Sequence, residues 1–514
     1  MYRQTFIQWG QAHIVLVVPV EFMEYETVIG LEVHVQLKTS SKMFCSCPAD
    51  YQSAPPNSTV CPVCLGLPGA LPVINRKAVD YTIMTGLALN CEIPEHTKFD
   101  RKNYPYPDLM KGYQISQYDM PLAVKGFLEI VVNGGQKSVG IERVHLEEDV
   151  AKLQHVSNES GVNYSLVDVN RSGQALMEIV SMPDMRSPDE ALAYLSSIHS
   201  IVQYLGVSTA NMQDGSFRCD ANVSVRPLGA QEFGTRTEVK NMNSYRAVFQ
   251  ALNYEVERQC NLLEQGDRVI QETRGWVEDR NITVSQRSKE YAHDYRYFPE
   301  PDLPPLIVDV KWVDRIKSLI TELGHNRKLR FMSEFALSDY DADLLTASRD
   351  TADYFEEVLD LYSTAAVDIT NVQKMVSNWI LGDLTRLLNM SSLSIYESKV
   401  SPGKLVQLIK LIGTGSLSAS LGKTVLEECF ESGDDPDNIV AAKGYVQIND
   451  LTVVEQAVSD VIDQNPKAVA DYLSGNESAA RFLMGQVMKL TQGQANPDLA
   501  NQLILARLET ERVK

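Results

Sequence analysis

Three short segments of the sequence place charged side chains along one side of a strand, where they suit acid–base or phosphoryl-transfer chemistry. In the segment 29–37 every second residue is apolar, so Glu32 and His34 project from the other face about 7 Å apart. A half-solvated antiparallel sheet gives the same alternation, and that interpretation stays open for any single strand. The residues that share such polar faces are Glu32, His34 and Gln36, then Asp220, Asn222, Ser224 and Arg226, and finally Arg236, Glu238 and Lys240.

Two acidic segments are candidates for completing a metal site beside these faces. Glu178 is a lone charge in the apolar run 176–180, and burying such a charge is costly unless it is paired or bound to a cation. Mg²⁺ prefers octahedral oxygen ligands, usually one or two carboxylates with water and phosphate oxygens. Glu148 and Glu178 fit this role. Because side chains alternate along a strand, only one of Glu147 and Glu148 faces a common site, and the residues alone leave that choice open.

Four cysteines lie within one stretch of twenty residues. Cys45 and Cys47 form a C-x-C pair, and Cys61 and Cys64 form a C-x-x-C pair. Four thiolates in this spacing predict one tetrahedral, structural Zn²⁺ site, with four buried free thiols as the alternative. Such spacing is typical of a reducing compartment rather than of a disulfide scaffold.

Size and charge limit the class of protein. The 514 residues imply two or three domains, and a formal charge of -20 excludes a protein that coats nucleic acid through general phosphate neutralisation. Any RNA contact must therefore be local. The sequence contains no apolar run near the ~20 residues that span a bilayer. With the cysteine spacing of a reducing compartment, we expect a cytoplasmic protein.

The order of elements predicts an α+β fold. Short strands with a few helices run to about residue 311, and a Pro-rich connector over 299–305 precedes mainly helical sequence. A capping box at Ser187 with Pro188 at the first helical position predicts a helix that covers the sheet. We expect an extension outside the fold over 1–22, with a natural start at Met23 and a cleaved targeting peptide as the alternative. The predicted segments are that extension, a catalytic cradle with a mixed or antiparallel sheet (23–311), connecting helices (312–365) and a C-terminal helical region (366–514).

The chain resembles a known family along almost its whole length, from Met23 to the C-terminus. The segments that carry the resemblance are 28–37, 98–104, 111–118, 145–149, 168–171, 178–180, 215–222, 238–244 and 293–301. In this order they resemble the B subunits of aspartyl/glutamyl-tRNA amidotransferases, the GatB family. Val150-Ala151 and Ala175 depart from the family pattern beside the metal segments, which puts only the local backbone shape in doubt.

The resemblance implies a function and a set of site residues. A GatB-type protein uses ATP and Mg²⁺ to activate the carboxylate of misacylated Glu-tRNA(Gln) or Asp-tRNA(Asn), which ammonia then converts to the amide. Carried over position by position, the resemblance selects His34, Glu148 and Glu178 as Mg²⁺ ligands. It also implies a cradle for the aminoacylated tRNA end, an all-α domain and a YqeY-type helical tail that binds tRNA.

Phosphoryl transfer from ATP needs cations that hold the phosphates as well as Mg²⁺. Arg218 and Lys240 are the candidates, with Lys111 a weaker one, and an ordinary ion pair is the alternative for each. The catalytic candidates are Glu32, Glu147, Asp220, Arg218 and Lys240.

The sequence has no Ser-Ser-Lys amidase signature, so ammonia must come from a partner protein. The resemblance implies that this partner is an amidase A subunit, in a heterotrimer with a small C subunit. Two other functions are alternatives: a non-enzymatic tRNA-binding adaptor and an aminoacyl-tRNA synthetase-like ligase. The sequence lacks the signature motifs of the synthetase class.

Overall fold

The computed structural model describes residues 2–9, 12–19, 24–158, 161–288, 295–363, 371–445, 450–476, 478–491 and 494–513. The predicted start at Met23 and the beginning of the 293–301 motif lie outside these residues. The chain divides into two compact units, residues 1–323 and 324–514. Among the described residues, no helix has the length and apolar character needed to cross a membrane.

All the strands of the described residues lie in the first unit. They are β1 (Tyr2–Trp9), β2 (Ala12–Pro19), β3 (Tyr25–Gln36), β4 (His96–Thr97), β5 (Asp100–Asn103), β6 (Tyr113–Ser116), β7 (Ala123–Val132), β8 (Gly135–Glu148), β9 (Lys152–Ser157), β10 (Asn163–Asp168), β11 (Ala175–Ser181), β12 (Phe217–Pro227), β13 (Thr237–Met242), β14 (Glu272–Val277), β15 (Ile282–Ser288), β16 (Phe298–Pro299) and β17 (Leu306–Ile307).

The α-helices become continuous toward the C-terminus. They are α1 (Arg76–Ala88), α2 (Pro188–Tyr204), α3 (Tyr245–Glu264), α4 (Val310–Lys317), α5 (Gly324–Glu334), α6 (Asp339–Leu345), α7 (Arg349–Ser363), α8 (Val372–Trp379), α9 (Thr385–Ser391), α10 (Pro402–Gly413), α11 (Ala419–Ser432), α12 (Pro436–Lys443), α13 (Leu451–Gln464), α14 (Pro466–Leu473), α15 (Ser478–Leu490) and α16 (Pro497–Val513).

An eight-stranded sheet organises the first unit, in the order β15-β14-β13-β12-β3-β11-β8-β7. Neighbouring strands are antiparallel except β13 and β14, which are parallel, so the sheet is mixed. With the helical second unit, this confirms the predicted α+β fold. Strand β3 lies near the middle, between β11 and β12, and this position decides which side chains meet.

Helices α1, α2 and α3 pack against strands of this sheet and bury its apolar face. Ser187 caps α2 as predicted, with its Oγ accepting from the Glu190 backbone N–H at 3.2 Å. Within α2, Leu195, Ile198 and Val202 are fully buried. The apolar residues of β3 therefore meet these helices, and its polar residues face the other way.

Small sheets flank the main one. Strands β16, β5 and β6 form a three-stranded sheet, and β9 pairs with β10, β17 with β4, and β1 with β2. The Ser116 hydroxyl of β6 donates to Glu147 Oε2 of β8 at 3.3 Å, and this contact fixes the three-stranded sheet beside the polar face of the main one.

The helical unit contains two separate hydrophobic cores. One is built from buried residues between 331 and 439, and the other from buried residues between 454 and 508. The predicted Asn-Pro start signals are confirmed, since α14 begins at Pro466 and α16 at Pro497. Leu483 and Val487 of α15 are buried as their spacing predicts, whereas Leu490 is half exposed.

The division into four segments stays a prediction. Its boundary between residues 311 and 312 falls inside α4, which packs on α1. There the Trp312 indole Nε1 donates to Asp80 Oδ1 at 2.6 Å, so α4 is bound to the first unit.

Candidate active site and cysteine cluster

The polar face of β3 carries the predicted side chains. Val33 and Val35 are fully buried, while Glu32, His34 and Gln36 are half buried on the opposite side. Residues directly opposite each other on paired strands point the same way. The register sets His34 opposite both Glu178 of β11 and Arg218 of β12, and it sets Glu32 opposite Asp220.

A tight cluster of an imidazole and two carboxylates forms at this face. His34 Nε2 lies 3.5 Å from Glu178 Oε2 and 3.7 Å from Glu147 Oε1. One ligand atom from each of the three residues lies within 4.8 Å of the others. Both carboxylates are buried, so their charge requires compensation. The donor set and its burial therefore fit a divalent cation.

The selection of Glu148 as the third ligand stays a prediction, and Glu148 lies outside this close cluster. Glu148 Oε1 accepts from the Ile115 backbone N–H at 2.9 Å and forms an ion pair with Lys111, away from the cluster. Val144 and Leu146 are fully buried apolar residues of β8. Their alternation turns His145 and Glu147 toward Glu178 and turns Glu148 to the other side. The structure thus brings Glu147 into the cluster, next to the Glu148 that the resemblance selects.

Electrostatics hold the cluster in a charged state. Burial alone would lower the pKa of His34, but Glu178 and Glu147 outweigh it and raise that pKa to about 9. Burial would raise the pKa of Glu178, yet the imidazoles of His145 and His34 hold it well below its usual value. Burial and the charge of Glu178 raise the pKa of Glu32, whose Oε1 accepts from Asn222 Nδ2 at 2.8 Å.

The predicted phosphate-binding cations all have carboxylate partners. Arg218 Nη2 lies 3.2 Å from Asp149 Oδ1, and Lys240 Nζ contacts Asp220 and lies 3.2 Å from Glu238 Oε1. Arg218 and Lys240 lie on the polar face with the cluster. Lys111 instead pairs with Glu148, so the structure brings two of the three predicted cations to the cluster.

Three further ionisable residues, His145, Asp149 and Lys102, belong to this site, although the sequence alone gives them no role. His145 Nε2 lies 3.3 Å from Glu178 Oε2, and Gln36 Nε2 donates to Asp149 Oδ2 at 2.7 Å. Burial would lower the pKa of Lys102, but Glu147 and Glu178 outweigh it and hold that pKa well above its usual range. Alternation with the apolar residues of β8 could have identified His145, whereas Lys102 reaches the site from the separate strand β5.

The four predicted cysteines also meet. Their Sγ atoms all lie within 4.8 Å of one another, and those of Cys61 and Cys64 are 3.9 Å apart. A tetrahedral ZnS₄ centre with bonds of about 2.3 Å sets its sulfurs about 3.8 Å apart. A hydrogen bond from the Cys45 thiol and the nearby Lys42 ammonium lower the pKa of Cys64 to about 5 despite its burial, which favours a thiolate. The cluster therefore fits a zinc ion.

The site lies within a segment that known proteins share. Residues 27–314 match the GatB/GatE catalytic domain, and residues 353–508 match the GatB domain. The chain belongs to the GatB family. The first match contains the whole polar face and the cysteine cluster, and the second covers most of the helical unit.

Curated relatives match this family member over 94 to 95% of its length. One from Carboxydothermus hydrogenoformans is 54% identical over 94% of this chain and 99% of its own length. Others from Dehalococcoides mccartyi and Moorella thermoacetica are 54% identical over 95% of this chain and 99% and 100% of their own lengths. All three are named as the B subunit of an aspartyl/glutamyl-tRNA(Asn/Gln) amidotransferase. The family membership predicted from the sequence is confirmed.

Proposed function

We propose that this chain is the component of a tRNA-dependent amidotransferase that activates the side-chain carboxylate of Glu-tRNA(Gln), Asp-tRNA(Asn) or both with ATP. The phosphorylated carboxylate then reacts with ammonia, which releases phosphate and gives Gln-tRNA(Gln) or Asn-tRNA(Asn). The observation that carries the proposal is the buried cluster of His34, Glu147 and Glu178, with cations beside it, inside the matched catalytic domain.

His34, Glu147 and Glu178 would hold Mg²⁺. When bound, this ion neutralises the charge of the transferred phosphate. Glu178 is itself supported by His145, whose Nε2 lies 3.3 Å from Glu178 Oε2. His145 therefore positions a ligand, as groups next to metal ligands commonly do.

Arg218 and Lys240 would bind the phosphate oxygens of ATP. Asp149 orients Arg218, and Asp220 with Glu238 orients Lys240, so each cation is positioned before the substrate arrives. Glu32 and Asp220 lie opposite each other on adjacent strands, where they complete the ring of charge around the cluster. Lys111 has a positioning role in this proposal, because it neutralises Glu148 next to Glu147.

The activated carboxylate needs ammonia from another protein. The relatives are named as B subunits, which is consistent with an enzyme of several chains. We propose that the partners are the amidase A subunit and the small C subunit, and that the helical unit binds the tRNA. The four cysteines would bind a structural Zn²⁺. All eight cysteines are unpaired, in keeping with a cytoplasmic location.

Amide formation by the heterotrimer tests this function. The chain, co-purified with A and C subunits, is given Glu-tRNA bearing the glutamine anticodon, ATP, Mg²⁺ and glutamine, and each component is omitted in turn. We expect Gln-tRNA only from the complete mixture. Binding of tRNA without ATP turnover or amide would instead support the adaptor function, and activation of free amino acid would support the ligase function.

A further inference from the structure

An aromatic pair lies at the edge of the candidate active site and has no role in the chemistry above. The rings of Tyr118 and Tyr297 are stacked, with centroids 4.2 Å apart and planes 8° from parallel. Tyr118 is 58% exposed, so a ring that is stacked on one side remains open to solvent. Tyrosine combines an apolar ring with a polar hydroxyl group and is enriched at binding interfaces.

The backbone that carries Tyr118 is fixed. Its N–H donates to Oδ2 of the buried Asp100 at 3.1 Å, and the other oxygen of Asp100 pairs with Lys98. Tyr297 follows Tyr295, and the centroids of these two rings are 6.0 Å apart. The Tyr118 ring therefore stands on a rigid base, which reduces the entropy lost when a ligand stacks on it.

The pair lies close to the cluster. Ser116, two residues before Tyr118, donates to Glu147 Oε2 at 3.3 Å, and two residues span at most about 7 Å. Lys102 Nζ lies 5.3 Å from the Tyr295 ring centroid. Burial raises the pKa of Tyr297 to about 12, Lys102 opposes this rise, and Glu147 and Glu178 add to it. A group stacked on Tyr118 would thus lie only a short distance from the cluster at which the proposed reaction takes place.

We infer that the stacked pair of Tyr118 and Tyr297 is a platform for an adenine base. This inference rests on the proposed function, in which both substrates contain adenosine. In ATP and at the 3′ end of an aminoacyl-tRNA, an adenine is linked by a short flexible chain to the group that reacts. Every base offers a π-face to an aromatic ring, and stacking contributes without a demand for directional hydrogen bonds.

Kinetics of the heterotrimer with three substitutions test the platform. Tyr118→Ala removes the ring, Tyr118→Leu keeps an apolar side chain without a ring, and Tyr118→Phe keeps the ring. We expect Tyr118→Ala and Tyr118→Leu to raise the KM for one substrate roughly tenfold, as the loss of one stacked base does. We expect Tyr118→Phe to keep the wild-type KM. A higher KM for ATP identifies the base as that of ATP, and a higher KM for Glu-tRNA identifies it as the terminal adenosine. Phe127→Ala, at an exposed ring on the edge strand β7, is the matched control.

Direct binding separates a failure of the platform from a failure of the proposed function. Calorimetric titration of the same heterotrimers with ADP and with the trinucleotide CCA measures stacking without turnover. Weaker binding of either probe to Tyr118→Ala and Tyr118→Leu supports the platform even if no amide forms. Unchanged KM values and unchanged binding in both variants overturn it, and the wild-type amide assay then still decides the proposed function.

Discussion

His34 and Glu178 lie directly opposite each other on β3 and β11, with Nε2 and Oε2 3.5 Å apart. Arg218 lies opposite His34 on the other side, on β12. Three strands far apart in the sequence thus bring an imidazole, a carboxylate and a guanidinium into one row across the sheet. The chemistry proposed for this chain depends on that row.

Substitution of Glu147 is expected to change the magnesium requirement. Glu147→Gln removes one charged oxygen ligand, and loss of a ligand should cost at least the roughly tenfold affinity loss that outer-shell changes cause. We expect the Mg²⁺ concentration for half-maximal amidation to rise roughly tenfold or more, as measured by titrating Mg²⁺ in the heterotrimer assay.

Glu148→Gln is the matched control for that experiment, because Glu148 is the adjacent carboxylate and is also buried. It breaks the pair with Lys111, so we expect a lower melting temperature with a smaller change in the magnesium requirement. If the magnesium requirement changes in Glu148→Gln and not in Glu147→Gln, Glu148 is the ligand, as the resemblance implies.

The cysteine cluster predicts one zinc ion per chain. Cys47→Ser should abolish it and lower the melting temperature by roughly 5 °C or more, because the binding free energy of a structural zinc is folding free energy. Elemental analysis and thermal unfolding measure both effects. Cys260→Ser, outside the cluster, should retain the metal. If freshly purified wild-type protein contained no zinc, the four cysteines of the cluster would be free thiols.

Acid should weaken the helical unit through Glu356. This carboxylate accepts from Arg327 Nε at 2.8 Å and from Arg330 Nη1 at 2.7 Å. Burial opposes ionisation, but the two arginines hold the pKa of Glu356 below its usual value. A lowered folded-state pKa stabilises the fold above the unfolded-state pKa, and that contribution is lost as the pH falls through the folded-state pKa.

Glu356→Gln should therefore lower the free energy of unfolding by about 1 to 2 kcal/mol at pH 7, and less below pH ~4. Urea unfolding followed by circular dichroism at pH 7 and at acidic pH measures the difference. Glu334→Gln, on a more exposed carboxylate paired with Arg330 at 3.4 Å, is the control. If the loss of unfolding free energy is the same at both pH values, the ionised form of Glu356 is not what stabilises the fold.

Removal of residues 446–514 should leave the rest of the chain folded. Val440 and Tyr445 pack on the core formed by residues 331–439, whereas the next core begins at Val454. A cut after Tyr445 therefore separates two cores without opening the first. We expect tRNA binding to weaken much more than ATP hydrolysis, as measured by filter binding and phosphate release. Equal losses would show that this region is not a separable tRNA-binding tail.

Much of the site is predictable because strand alternation is a local property. The apolar residues between Glu32 and His34 assign both to one face, and the structure has them there. The choice between Glu147 and Glu148 stays a prediction, because the resemblance selects Glu148 whereas the packing of the strands brings Glu147 to His34 and Glu178. The position of Lys102 cannot be predicted in this way. It reaches the cluster because two separate sheets are in contact, and no periodic pattern in the sequence indicates such a contact.

The place of β3 in the sheet also bears on how the newly made chain folds. β3 ends at Gln36, but its neighbours begin only at Ala175 and Phe217, and Lys240 follows on β13. At about 5 to 20 residues per second, a ribosome needs roughly 10 to 40 s to make the intervening segment. Until Ala175 is reached, Val33 and Val35 lack both of the strands that later flank them, and such exposed apolar strands favour aggregation. A nascent chain that stalls before Ala175 therefore holds β3 without its partner strands and lacks Glu178 and Arg218 of the site, which makes it a natural substrate for chaperones.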